Sequence, residues 1–228
     1  MTSADVSGAL VGAVRDAVAE GELDVSVPGE VVVFSRGAGV FESPVALRLG
    51  VDPWVIARRV GGSVSGDGFV RVVVSVGEVV EGVLRGFGGV RLKGGWGEWP
   101  RTFENPGFSV RYAYARACWV GRWASELGIG RGPLRDAQAE ELELVGVLGD
   151  ARGRALQAER ERDARPLMFC LERVAEAYHD VHERCPAVPK GDEVPGALHA
   201  GRVSLAEAVK VVLGDGLHMI GETPRERI

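Results

Sequence analysis

Apolar and polar residues follow two different patterns along the chain, and the first covers residues 1–85. Short β-branched runs at residues 31–34 and 69–74 predict strands. Residues 46–49 and 53–60 predict short helices. Five apolar residues at helical spacing predict a longer N-terminal helix: Val6, Leu10, Val11, Val14 and Val18. Strands and helices in this order predict a small α/β domain at the start of an α+β protein.

The second pattern begins at residue 105 and is helical throughout. Its first helix is predicted by one apolar stripe: Val110, Ala113, Ala117, Val120, Ala124 and Leu127. Pro133 is expected to open a second helix ending near residue 148, and a separate charged helix is expected over residues 151–164. Two further stripes predict the last helices: Leu167, Leu171, Val174, Tyr178 and Val181, then Leu205, Val209, Val212 and Leu213. Residues 105–228 therefore predict an all-α bundle of four or five helices.

A glycine-rich segment, residues 86–104, separates the two patterns. Six glycines lie between residues 86 and 97, too many for a helix or a central strand. A phosphate-binding loop would need Gly-Lys-Ser/Thr, or a strand, GxGxxG and a helix in order, whereas Lys93 precedes its glycines. The segment is therefore predicted to be a linker.

Composition and charge indicate a globular protein of 228 residues with 46% hydrophobic residues and a formal net charge of −5. Apolar runs are too short for a membrane span, the N-terminus does not resemble a secretory signal, and three scattered cysteines do not suggest a disulfide framework. We therefore expect a cytoplasmic protein without a membrane partner. Residues 105–132 stand out because they hold four basic side chains and one acidic side chain.

One face of the first bundle helix combines aromatic and basic residues. Tyr112, Arg116, Trp119 and Trp123 follow one another at spacings of four, three and four residues, and Arg111 and Arg122 flank them. Aromatic rings stack on unpaired bases, and arginine contacts phosphates, so the face is a candidate RNA contact. The same spacing also fits tryptophans in the core and solvated arginines, and the pattern alone leaves both interpretations open.

The remaining candidate chemistry is sparse. His179, His182 and Cys185 have metal-ligand residue types, but on one helix the third position points away from the first two, and no fourth ligand is evident. Cys118 and Cys170 lie in apolar helical surroundings and are expected in the core. No recognisable catalytic motif occurs. The residues therefore predict no metal, no cofactor and no catalytic centre.

Several motifs in the helical part resemble a known family. Asn105-Pro106, followed by Val-Arg-Tyr-Ala-Tyr-Ala-Arg at residues 110–116, is similar to the opening helix of the DALR anticodon-binding domain of arginyl-tRNA synthetases. Cys185-Pro186 and residues 216–228 are also similar to that domain. The resemblance implies a DALR bundle over residues 105–228 and a tRNA partner, an arginine tRNA or a related one. It implies tRNA contacts at Tyr112, Arg116 and His182, with an anticodon base stacked on Tyr112 or His182. The aromatic and basic face of the same helix adds Arg111, Trp119 and Trp123 as candidate tRNA contacts.

The first half is similar, more weakly, to the N-terminal tRNA-contacting domain of the same synthetases. The run from Gly39 to Gly50 matches a motif of that domain, and Phe41 matches its aromatic position. The acidic and asparagine positions of the motif are occupied by Val40 and Pro44. The resemblance implies that Phe41 contacts the tRNA elbow.

The catalytic motifs of arginyl-tRNA synthetases have no counterpart in the chain. These enzymes use a His-x-Gly-His motif and a lysine-rich loop at the ATP phosphates, whereas none of the four histidines is followed by Gly-His and none of the three lysines lies in such a loop. We therefore expect a catalytically inactive tRNA-binding protein that presents tRNA to a partner enzyme or regulates its use. One alternative is a protein-interaction module in which Trp119 and Trp123 dock a partner. Another is the non-catalytic part of an arginine–tRNA ligase with a separate catalytic chain.

Overall fold

The computed structural model describes residues 1–228 and places a four-stranded antiparallel sheet in the N-terminal part. The strands lie in the order β1-β2-β4-β3: β1 (Phe34–Gly37), β2 (Val40–Ser43), β3 (Ser63–Val64) and β4 (Val70–Val73). Gly39 closes the β1–β2 hairpin with a φ of 76°, and a Cβ there would lie 2.1 Å from the Val74 carbonyl oxygen. Only glycine fits this turn. The predicted strand at residues 31–34 is mostly unpaired, because pairing starts at Phe34.

Four helices accompany the sheet and four form the bundle. The first set is α1 (Ser3–Ala19), α2 (Val45–Leu49), α3 (Pro53–Arg59) and α4 (Val76–Leu84). The second set is α5 (Pro106–Glu126), α6 (Ala139–Glu161), α7 (Arg165–Arg184) and α8 (Ala197–Met219). The fold is α+β, with the sheet N-terminal and the bundle C-terminal, as the sequence predicts.

Helix α6 corrects the sequence analysis, which placed two helices over the same region. The helix is continuous, and Pro133 lies in the irregular segment before it. Gly146, Gly149 and Gly153 lie on the side of α6 that packs against the N-terminal part. Close packing against another element explains why glycines persist inside this helix.

These three glycines allow the N-terminal domain to approach the bundle closely. A Cβ on Gly146 would lie 3.2 Å from the backbone carbon of Gly37, and one on Gly149 would lie 3.4 Å from the Phe41 ring. A Cβ on Gly153 would lie 2.5 Å from the Ser3 hydroxyl oxygen. The buried apolar residues of both parts consequently form one continuous cluster. The two parts therefore share a single hydrophobic core.

The glycine-rich segment is irregular, but it packs closely against the bundle. Several hydrogen bonds attach it, among them Phe87 N–H to Asp215 (2.8 Å), Leu92 N–H to the Met219 carbonyl (2.6 Å) and Trp96 Nε1–H to Glu172 (2.6 Å). A Cβ on Gly94 would lie 2.6 Å from the Ala164 side chain. Glycine at this position provides room for packing. Residues 86–104, called the strap below, therefore pack against the bundle rather than connecting the two parts loosely.

Candidate nucleic-acid interface

A groove of about 520 Å³ opens between α5, α7 and the C-terminal segment (residues 221–228). It is lined by Tyr112, Ala115, Arg116, Trp119, Trp123, His182, Arg227 and Ile228. Five of the six bundle residues singled out from the sequence therefore meet in one place. Arg227 and Ile228 were not among the candidates, because sequence spacing does not show that the segment after α8 returns to α5.

The two groove tryptophans are surface residues rather than core residues. Trp119 is 43% exposed and Trp123 is 42% exposed. Their ring centroids lie 5.3 Å apart with the ring planes at 90°, so they form an edge-to-face pair. The Arg122 guanidinium lies 5.3 Å from the Trp119 ring centroid and donates to Glu226 at 2.7 Å. The pair is an accessible aromatic surface, and Arg122 packs against its Trp119 ring.

Tyr112 lies beside the tryptophans, but it is half-buried and three side chains pack against its ring. Phe108, one turn earlier on α5, stacks on it with centroids 5.6 Å apart and ring planes 17° apart. Arg116, one turn later, places its guanidinium carbon 4.6 Å from the Tyr112 ring centroid. Phe103 also contacts the ring edge-on at 5.4 Å. A base stacked on Tyr112 would compete with these neighbours for the ring.

Arg116 is held by His179 as well as by Tyr112. Its Nη1 lies 3.3 Å from His179 Nδ1 and 4.0 Å from a Glu183 carboxylate oxygen. Burial, with the nearby positive charge of Arg116, lowers the pKa of His179 to about 4. The imidazole is therefore neutral near pH 7, and because arginine only donates, Nδ1 is the acceptor. The other ring nitrogen, Nε2, then has the hydrogen that it donates to the Ser109 carbonyl at 3.2 Å.

Arg111 is the one candidate on the bundle that lies outside the groove. Its Nε and Nη2 donate to the two carboxylate oxygens of Glu222, each at 2.8 Å, and Nη2 also donates to the Trp96 carbonyl at 3.3 Å. The guanidinium is thus paired and partly buried. Its geometry fits an anchor for the C-terminal segment better than a free phosphate contact.

Phe41 lies in the core, contrary to its expected contact with the tRNA elbow. It is 1% exposed, and its ring packs over Gly149. No base can reach that ring without opening the core. This domain also has an aromatic pair nearer the surface, in which the exposed Phe34 stacks on the half-buried Phe69 with ring centroids 6.4 Å apart, and the Arg36 guanidinium lies 5.5 Å from the Phe34 ring centroid.

The charge around the groove is uneven. Arg116 and Arg227 lie in the groove, and Arg122 lies beside it. A second hollow, which His179 lines, is acidic, with four carboxylates from α7: Glu172, Glu176, Asp180 and Glu183. An anionic ligand is therefore favoured on the α5 side and disfavoured on the α7 side.

The histidines and cysteines of α7 do not converge. His179 faces Ser109 and Arg116, whereas the Cys185 thiol lies 3.3 Å from the side-chain oxygen of Gln138. No three His, Cys, Asp or Glu side chains come together in a way that could hold a metal ion. None of the helices has the length and apolar character needed to cross a bilayer.

The bundle and its groove match a known domain. The DALR anticodon binding domain family matches residues 110–228, which include every residue that lines the groove. The chain belongs to this family. An arginine–tRNA ligase from Clavibacter sepedonicus is 35% identical to this DALR protein over 131 residues, which is 56% of this chain and 24% of that protein.

Solved structures of the same class are also similar. The Thermus thermophilus arginyl-tRNA synthetase has 27% identity and a TM-score of 0.46, covering 56% of this chain and 22% of that one. A putative arginyl-tRNA synthetase from Campylobacter jejuni has 14% identity and a TM-score of 0.46, covering 57% and 28%. The DALR protein thus spans about a quarter of the length of these relatives, and the residues between its sheet domain and its bundle are the strap alone.

Proposed function

We propose that this DALR protein binds tRNA through the α5 groove without activating an amino acid, and that it presents the tRNA to a partner enzyme or regulates its use. The observation that supports the proposal most strongly is the composition of the groove. Two exposed tryptophans, His182 and two arginines line one cavity in a domain whose family is named for anticodon binding. Aromatic rings and guanidinium groups suit the unpaired bases and phosphates of an RNA loop.

The size and charge of the groove support an RNA loop rather than a duplex. A cavity of about 520 Å³ accommodates a ligand of small-molecule size, such as a single flipped base. The acidic hollow on α7 repels a backbone that would cross the whole bundle. The proposal therefore assigns an RNA loop to this site, with one base in the cavity.

The absence of amino-acid activation is proposed from the sequence motifs. His179 and His182 lie on α7, and His199 and His218 lie on α8, so none belongs to a His-x-Gly-His loop. Arginine-dependent exchange between ATP and pyrophosphate, measured on the purified chain, is expected to be absent. Robust exchange would overturn this part of the proposal and favour a retained arginine–tRNA ligase activity.

A gel-shift titration with unfractionated tRNA at moderate salt tests the binding. The wild-type protein is expected to shift the tRNA, and Arg116→Ala is expected to weaken the shift. Arg173→Ala is the matched control, because Arg173 is an exposed arginine on the same bundle that does not line the groove. Failure of the wild-type protein to bind even at low salt would refute the proposal.

A second candidate function is protein docking, favoured by the apolar stripe on α5. Trp119, Trp123 and Leu127 are all exposed and follow one another at successive turns, and the chain as a whole has a net charge of −5. Capture of partners before and after RNase treatment separates the two functions. A complex that survives RNase favours protein docking, and one that is lost favours RNA.

A further inference from the structure

We propose that Tyr112 is a positioning residue rather than a stacking surface: together with His179 it fixes the Arg116 guanidinium in the groove, and the Trp119–Trp123 pair is the surface on which the unpaired base stacks. This inference rests on the proposed RNA binding. It goes beyond that proposal because it gives Tyr112 a different role from Trp119 and Trp123, although the sequence pattern groups all three as aromatic residues of one helix face.

The Tyr112 ring is less accessible than the two tryptophan rings of the groove. Phe108 covers it from the preceding turn and Arg116 from the following turn, and Phe103 closes one edge. Tyr112 is half-buried among these three neighbours, so a base would compete with them for its ring. The Trp119 and Trp123 rings are more than two-fifths exposed and line the groove directly.

Two contacts fix the orientation of the Arg116 guanidinium in the groove. A free arginine side chain samples many rotamers, and ordering it on binding costs free energy. Here the guanidinium lies over one ring and donates to one neutral imidazole, 4.6 Å and 3.3 Å away respectively. Its side chain is 21% exposed, so it is held while part of it still faces the groove. Preorganisation of this kind raises affinity by removing the ordering cost.

His179 accepts the hydrogen bond from Arg116 as a neutral, unprotonated imidazole. A protonated imidazole would place a second positive charge against Arg116 and would remove the acceptor. Desolvation keeps the ring neutral, and Arg116 disfavours its protonation further, while Glu183 and the Ser109 carbonyl act in the opposite direction. The other imidazole close to this site, His182, also has its pKa lowered, chiefly by burial and by Arg116. The contact between Arg116 and a neutral His179 therefore persists through the physiological pH range.

The test uses the salt dependence of binding to a synthetic anticodon stem-loop of an arginine tRNA. Loss of one phosphate contact reduces the slope of log affinity against log salt by about 1. We expect this reduction for Arg116→Ala and also for Tyr112→Leu, although tyrosine has no charge. Tyr112→Phe retains the ring and is expected to behave like the wild-type protein. The Tyr112→Leu, Arg116→Ala double variant is expected to bind no more weakly than Arg116→Ala alone, because both changes remove the same contact.

A second pair of variants keeps the test decisive if Tyr112→Leu fails to fold. His179→Asn retains a neutral acceptor and His179→Leu does not, so only the leucine variant is expected to reduce the salt slope. Substituting Trp119 or Trp123 with alanine is expected to weaken binding by about tenfold or more at an unchanged slope.

Two results would overturn the inference while leaving RNA binding intact. One is weaker binding by Tyr112→Leu with the wild-type salt slope and additive effects in the double variant, which would make Tyr112 a stacking surface. The other is unchanged binding after both tryptophans are replaced. Absence of binding by the wild-type protein would instead refute the proposed function, and this inference with it.

Discussion

Arg111 on α5 donates two parallel hydrogen bonds of 2.8 Å to the carboxylate of Glu222 in the C-terminal segment. Glu222 also accepts a hydrogen bond from the Trp96 backbone N–H at 3.3 Å. One carboxylate thus joins the first bundle helix, the strap and the segment that places Arg227 and Ile228 in the groove.

Removal of this anchor is expected to affect stability more than RNA contact. Arg111→Ala leaves a partly buried carboxylate without its main partner, and we expect the free energy of unfolding to fall by about 1–3 kcal/mol. Urea denaturation measures the change. Arg101→Ala is the control, because its exposed pair with Glu98 is expected to contribute only about 0–1 kcal/mol. Equal effects of the two substitutions would contradict the anchoring role.

The exposed tryptophans are expected to matter for RNA and not for folding. Replacing Trp119 and Trp123 with alanine should weaken tRNA binding by about tenfold or more, while the melting temperature stays close to that of the wild type. Trp54→Ala is the matched control, because Trp54 is 50% exposed on α3 and does not line the groove. A large fall in melting temperature for the groove variants would show that the pair is structural.

Stability is expected to depend on pH through His179. Its pKa is lowered to about 4 in the folded protein, whereas an imidazole in the unfolded chain titrates near its ordinary value of about 6.5. The unfolded chain therefore binds more protons between these values, and stability falls as the pH decreases through this window. Thermal denaturation at pH 7 and pH 5 should show this fall, and His179→Asn should reduce it. Substitution of the exposed His218 by asparagine should leave it unchanged.

Docking of the N-terminal domain is expected to require glycine at position 146. A leucine side chain there would clash with the backbone of β1. We expect this overpacking to lower the free energy of unfolding by about 1–3 kcal/mol. Gly8→Leu on α1 is the control, because no atom lies within 4 Å of a Cβ at that position and leucine is a better helix former. Denaturant midpoints compare the two. A Gly146→Leu protein as stable as the wild type would contradict the close packing.

Sequence patterns predicted the helical half well because helical periodicity is long and regular there. The stripe from Val110 to Ala124 and the stripe from Leu167 to Val181 both lie in helices, as predicted. The predicted break between the second and third helices was wrong, because α6 runs without interruption through Gly146, Gly149 and Gly153, which have a low intrinsic helix propensity. In α6, tertiary contact with β1 and α4 outweighs that propensity.

The candidate groove was predictable only in part. Spacing placed Tyr112, Arg116, Trp119 and Trp123 on one face, but it contained no information on what covers each ring. Phe108, which packs on Tyr112, lies one turn earlier on the same helix. His179, which contacts Arg116, lies on a different helix, α7. Arg227 reaches the groove through the course of the C-terminal segment, and Phe41 is buried by α6. Such long-range placements have no local signature in the sequence.

We propose that the α5 groove binds the anticodon loop of a tRNA. The most direct measurement is a fluorescence-anisotropy titration of a labelled anticodon stem-loop with the wild-type protein, with Trp123→Ala and with Trp54→Ala. The account predicts saturable binding by the wild-type and Trp54→Ala proteins and clearly weaker binding by Trp123→Ala. Equal affinity of all three, or no binding by the wild type at low salt, would contradict it.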